Sequence, residues 1–327
     1  MVDISMIRAA ATRLIGHARL TPMLQSPFLD RIAGRRVYVK AECLQHTGSF
    51  KYRGAWAAVS ALDPAIRTRG VLAFSSGNHA QGIALAASQH QVPAVIVMPS
   101  DAPAVKIENT RALGAEVVLY DREREDRDAI AAPLAEARGL TLIKPYDDPE
   151  VIAGQGSTGL EIAFQARCER IRNADVAICS GGGGLATGVA LALEADAPDL
   201  RVRTAEPAGF DDFARSLASG QRERNPRMGG SVCDAILTPA PGMLTLPVIS
   251  RLGGPGLVVT DEEAMRAMAA AFSRLRLVLE PGGAVALAAA LYHPDEFQGD
   301  AVICIATGGN VDSAVFAEAI SRFGDGS

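Results

Sequence analysis

The stretch 176-VAICSGGGGLATG-188 runs from a continuous apolar segment through four adjacent glycines into a helical pattern. An apolar segment without polar alternation reads as a strand buried on both faces, the habit of a parallel sheet. The glycines carry no Cβ and reach positive φ readily, so successive backbone N–H groups can form a nest for an anion. The positive end of the following helix points at the same place. A phosphate suits that arrangement. The plainer reading, a tight strand-to-helix turn without a ligand, has to absorb the unfolded-state entropy that four glycines cost.

The same grammar repeats on either side. Strand-like runs occur at 36–41, 70–75, 93–99, 115–120, 140–144, 176–180, 201–206 and 301–306, with helical stretches such as 77–90, 150–171 and 261–277 between them. This alternation predicts an α/β protein whose mostly parallel sheets are covered by helices on both faces. Four strands run into polar or glycine-rich text: 76-SGNHAQG-82, 181-GGGGLATG-188, 206-EPAGFDD-212 and 307-TGGNVD-312. Ligands of open parallel sheets bind beyond the carboxyl ends of the strands, so one site assembled from these four loops is expected.

Composition narrows the class. A chain of 327 residues exceeds the usual size of a single core, so two lobes are expected. A net charge of −5 argues against a nucleic-acid partner. The N-terminal MVDISMIRAAATRLIGHARL reads as an amphipathic helix rather than a signal peptide, and there is no apolar run of membrane-spanning length. The cysteines Cys43, Cys168, Cys179, Cys233 and Cys304 are widely spaced, which fits reduced thiols in a cytoplasmic protein. The charged run 121-DREREDRD-128 reads as a solvated helix start.

Among the 32 basic residues only Lys40, Lys51, Lys106 and Lys144 are lysine. Lys51 stands in 46-HTGSFKYRGA-55. A desolvated lysine can lose its proton and attack a carbonyl, which arginine cannot do. A ligand with both a phosphate and an aldehyde would satisfy Lys51 and the glycine loop together, and pyridoxal 5′-phosphate is such a ligand. The runner-up is an NAD-dependent oxidoreductase. Gly181-x-Gly183-x-x-Ala186 follows a strand, and Glu206 ends the next strand as a ribose-binding acid would. That reading leaves Lys51 and the other loops unexplained.

The segments 21-TPMLQSPFLD-30, 40-KAECLQHTGSFKYRGA-55, 75-SSGNHAQGIA-84, 151-VIAGQGSTGLEI-162, 180-SGGGGLATG-188, 206-EPAGFDD-212, 279-LEPGGAVALAA-289 and 307-TGGNVD-312 span nearly the whole chain. In that order they resemble the fold-type-II pyridoxal-phosphate enzymes, specifically the serine/threonine dehydratase and serine racemase family. The resemblance implies a two-domain, tryptophan synthase β-like fold, with a large domain of residues 1–69 and 148–327 and a small mobile domain of 70–147. Lys51 would bind the cofactor as an imine and then act as the base at Cα. Phe50 would pack on the pyridine ring, Asn78 would bond the 3′-oxygen, and Gly181, Gly182, Gly183, Gly184 and Leu185 would hold the phosphate. Glu280 would lie near the cofactor. Thr307, where the family usually has serine, would face the pyridine nitrogen and leave it largely unprotonated, which suits β-elimination.

Ser75, Ser76, Asn78 and His79 would bind the substrate carboxylate, with Ser76 placed as the second acid/base. Arg127 aligns with an arginine that reaches a substrate carboxylate in the racemase. Glu206, the Phe210 carbonyl and Asp212 resemble a site for Mg²⁺ or Ca²⁺, with a metal-free helix cap as the alternative. Ala235 replaces a family glycine in a loop that closes over the substrate. The implied activity is removal of water and ammonia from L-threonine or L-serine, giving 2-oxobutanoate or pyruvate. Serine or aspartate racemization, and dehydration of 3-hydroxyaspartate or of a hydroxyectoine-pathway intermediate, are the alternatives. A homodimer without the C-terminal regulatory domain of biosynthetic threonine deaminase is expected.

Overall fold

The computed structural model describes residues 2–75, 77–102, 104–121, 124–227 and 229–324; of Val105, Arg127 and Asp128 only the backbone is described. The strands are β1 (Met23–Gln25), β2 (Arg36–Lys40), β3 (Val71–Phe74), β4 (Ala94–Pro99), β5 (Glu116–Tyr120), β6 (Thr141–Leu142), β7 (Ala174–Cys179), β8 (Leu200–Pro207), β9 (Leu257–Val259) and β10 (Ala301–Ile305). They form a six-stranded sheet, order β1-β2-β10-β7-β8-β9, and a four-stranded sheet, order β5-β4-β3-β6. Every pair is parallel except β1 with β2. The central strands β3, β4, β7 and β10 are buried at every residue, as strands covered on both faces must be.

The eight strand-like runs all contain strands. β1 and β9, three residues each, are too short to show a pattern in the sequence. The N-terminal helix is Ile4–Leu14, shorter than the amphipathic text. The helix after the charged run begins only at Arg127, so Asp121 and Arg124–Asp126 precede it.

Lys51 opens the helix Lys51–Ala61. Beside it lies the 20-residue helix Pro149–Cys168, whose N-cap Asp148 accepts from the backbone N–H groups of Glu150 and Val151. The two helices approach so closely that a Cβ at Gly154 would come within 2.6 Å of the Arg53 carbonyl. Arg53 is buried and pairs with Glu42 at 2.8 Å and Glu161 at 2.7 Å, while Lys40 reaches Glu161 at 2.5 Å. Removing one member of such a buried set costs about 3–5 kcal/mol, because the rest is left uncompensated. This network fastens the Lys51 helix to β2 and to the long helix, which fixes where the lysine stands.

Candidate active site

The loops at the carboxyl ends of β3, β7 and β10 line one cavity of about 380 Å³. Phe50, Lys51, Ser75, Asn78, His79, Gly181, Gly182, Gly183, Gly184, Leu185, Glu280 and Thr307 all contribute to its wall. The fourth expected loop does not: none of residues 206–212 lines the cavity. The helix it leads into, Asp212–Ser219, backs the glycine turn instead, since a Cβ at Gly183 would run into the Phe213 ring. Ser76 lies outside the described residues, and so does the side chain of Arg127.

Lys51 is half-buried and donates from Nζ to the Pro145 carbonyl at 2.8 Å. Loss of solvation pushes its pKa down from 10.5 to about 8. Its amine lies 5.2 Å from the centre of the Phe50 ring. Glycine is required twice over at the turn. Gly183 has φ +87° and caps the helix Gly184–Asp196, and a Cβ on Gly182 would fall on the Tyr146 ring. The turn therefore stays free of side chains where the helix presents its N–H groups.

Asn78 starts the helix Asn78–Gln89 and donates from Nδ2 to Glu280 Oε1 at 2.6 Å. The other Glu280 oxygen is buried without a partner, and desolvation raises the carboxyl pKa to about 7. His79 is buried, and desolvation depresses its pKa to about 3. Its Nε2 therefore carries the proton donated to the Ile143 carbonyl at 3.1 Å. The Ser75 hydroxyl accepts from the Gly77 N–H at 3.1 Å. Thr307 is 4% exposed, and its carbonyl accepts from the Phe50 N–H at 3.1 Å.

Glu206 is fully buried, and its two oxygens accept from the N–H groups of Phe213 and Ala214, each at 2.9 Å. It is not presented to a ribose, which removes the geometric basis of the oxidoreductase reading. Asp212 accepts from Asn225 Nδ2 at 2.5 Å through Oδ1, while Oδ2 is buried without a partner. Desolvation raises the pKa of both acids. Among the described residues no group of three His, Cys, Asp or Glu side chains is gathered to hold a metal.

Sequence reading missed several cavity residues: Lys106, Lys144, Tyr146, Asp147, Arg222 and Asp234. The scarcity of lysine was the available signal for two of them. Three of the four lysines line this cavity, and the fourth, Lys40, sits in the buried network behind it.

A bare turn at a helix N-terminus beside a depressed-pKa amine fits a phosphorylated aldehyde. The buried Thr307 and the Asn78 amide offer polar partners around a ring in the same space. Fold and cavity thus define an enzyme of the pyridoxal-phosphate class with the fold-type-II architecture. The chain belongs to the family described as pyridoxal-phosphate-dependent enzymes, whose pattern matches residues 14–308. It is 44% identical over 309 residues to an L-threo-3-hydroxyaspartate ammonia-lyase of Pseudomonas sp, covering 94% of this chain and 95% of that one. It is 39% identical over 320 residues to the enzyme of the same name from Saccharomyces cerevisiae, covering 97% and 96%. The structure of maize serine racemase superposes with a TM-score of 0.90 at 35% identity, covering 98% of this chain and 97% of that one. Among the described residues no helix is long and apolar enough to cross a membrane.

Proposed function

We propose that the protein is a pyridoxal-phosphate-dependent ammonia-lyase acting on a β-hydroxy amino acid, with L-threo-3-hydroxyaspartate ahead of threonine and serine. The observation that carries the pyridoxal-phosphate reading is the Lys51 amine, pushed to about 8 by burial in the same cavity as the glycine turn. The names of the Pseudomonas and yeast relatives support the dicarboxylic substrate and move the preference away from threonine or serine. When bound, pyridoxal phosphate supplies an aldehyde for the substrate amine and an electron sink for the pair left at Cα.

In this reading the N–H groups at Gly181–Leu185 hold the phosphate, Phe50 packs on the ring, Asn78 and Thr307 bond its polar edge, and Glu280 stands behind Asn78. Ser75, Ser76, Asn78 and His79 receive the α-carboxylate near the positive end of the helix Asn78–Gln89. His79 contributes as a fixed neutral ring, since its Nε2–H is committed to Ile143. Lys51 takes the Cα proton, and the β-hydroxyl departs with a proton as water. The enamine product tautomerises to an imine, and hydrolysis gives ammonia and a 2-oxo acid, which is oxaloacetate from hydroxyaspartate. Closure of residues 70–147 over the substrate, a homodimer, and a Mg²⁺ or Ca²⁺ ion at Glu206, Phe210 and Asp212 belong to the same proposal.

The test is a product assay on purified protein reconstituted with the cofactor. Oxaloacetate from L-threo-3-hydroxyaspartate should form with a higher kcat/KM than pyruvate from serine or 2-oxobutanoate from threonine. Dominant release of a D-amino acid would instead establish a racemase, the reading favoured by the likeness to the maize enzyme.

A further inference from the structure

The charges lining the cavity are unevenly engaged. Each of its carboxylates already has a partner. Asp147 accepts from the N–H groups of Met243 and Leu244 at 3.2 and 2.8 Å. Asp234 pairs with Lys106 at 2.9 Å, and Glu280 accepts from Asn78. Two cations are not so engaged. Lys144 has no hydrogen-bond or ion-pair partner among the described residues. Arg222 is anchored through Nε to the Pro241 carbonyl at 2.6 Å, which leaves its terminal nitrogens without a described partner.

Both cations stand beside the chemistry. Lys144 precedes Pro145, whose carbonyl accepts from the Lys51 amine. Pro241 precedes Gly242, whose N–H reaches the Gly182 carbonyl at 3.1 Å. One residue is thus attached on the Lys51 side and the other on the glycine-turn side, and both line the same cavity. In the proposed function the α-carboxylate of any amino-acid substrate goes to the loop that carries Ser75, Asn78 and His79, so these cations are surplus for threonine or serine. A substrate with a second carboxylate uses them.

We propose that Lys144 and Arg222 form the subsite for the distal carboxylate of a four-carbon dicarboxylic substrate. The assignment rests on the lyase reading above and adds the residues that set substrate class. A bidentate guanidinium and a point-charge ammonium converging on one carboxylate resist replacement by neutral groups.

The experiment uses cofactor-saturated enzyme and the variants Lys144→Gln, Arg222→Gln and Arg127→Gln. For the first two, the ratio of kcat/KM for L-threo-3-hydroxyaspartate to that for L-threonine should fall roughly 10- to 100-fold, the worth of a hydrogen bond to a charged group. Lys144→Arg should recover part of the ratio. Succinate, which has the same carbon skeleton, should inhibit the wild type at least about tenfold more tightly than butyrate, and this margin should shrink in both variants. Equal losses on both substrates, or a weakened cofactor titration that accounts for the loss, would assign the two cations to the phosphate and overturn the subsite. A collapse of the ratio in Arg127→Gln alone would overturn it as well. A wild type that prefers threonine defeats the substrate reading, while the succinate comparison still decides whether the subsite exists.

Discussion

The Lys51 amine hydrogen-bonds the Pro145 carbonyl at 2.8 Å, joining the start of one helix to the strap that leaves the second sheet. A carbonyl cannot neutralise an ammonium, so desolvation wins and the pKa falls to about 8. Capture of the cofactor by apoprotein needs the neutral amine. Its rate should rise with pH, reach half its plateau near pH 8 and level off above it, and at pH 6 it should be roughly a hundredfold below the plateau, two pH units under the pKa. A rate still climbing at pH 10 would mean an ordinary solvated lysine. Lys51→Ala should abolish the visible absorbance of lysine-bound cofactor and lower lyase activity by at least about three orders of magnitude.

Glu280 tests a different consequence of burial. Its carboxyl pKa is raised from 4.5 to about 7 by desolvation, so the folded protein binds that proton more tightly than the unfolded chain does. Stability therefore falls as pH rises from about 4.5 to 7, and the penalty is complete above 7. Glu280→Gln keeps an acceptor for Asn78 and removes the charge. At pH 8 the apoprotein variant should be more stable than the wild type by about 1–3 kcal/mol, and at pH 5 the two should unfold together. Urea titrations at the two pH values measure both. A uniform loss at both would show that Gln does not fit.

The glycine turn separates phosphate binding from folding. Gly183→Ala meets positive φ and the Phe213 ring together, and should destabilise the protein by more than about 1–3 kcal/mol, with cofactor present or absent. Gly182→Ala does not meet a positive φ, and its nearest clash is with the Tyr146 ring, which lines the cavity. Its apoprotein should unfold near the wild-type midpoint while its cofactor dissociation constant rises roughly tenfold, since the displaced ring takes cofactor space. Calorimetry and a cofactor titration on both variants separate the two cases.

The central strands were legible because buried parallel strands are written as largely apolar runs, and each of the eight runs holds a strand. Lys51 and the glycine turn stood out in the sequence because lysine is scarce and four glycines are adjacent, and the structure brings both to one cavity. The rest is hidden for a physical reason. Arg222 and Asp234 reach the cavity from loops without periodicity, and nothing local marks which charge turns inward. Lys144 lies one residue from the Lys51 contact, yet in sequence it is only a lysine after a strand. Glu206 stands near the end of β8 as a ribose-binding acid would, and only the fold reveals that its oxygens cap the following helix.

Asp212 poses the last test. Both Glu206 oxygens are engaged by backbone N–H groups, whereas Asp212 Oδ2 is buried with no partner. A buried carboxylate oxygen left bare costs free energy that a hard cation would recover, with the Phe210 carbonyl as a further oxygen ligand. Mg²⁺ or Ca²⁺ should therefore raise the melting midpoint of the apoprotein. At a hundredfold excess over the dissociation constant the gain should be about 2.7 kcal/mol, and a chelator should reverse it. Asp212→Asn keeps a side-chain oxygen but loses the charge, and its midpoint should no longer respond to either ion. If the wild type is equally indifferent to both ions, Glu206 is a helix cap alone and Asp212 is held by Asn225 without a metal.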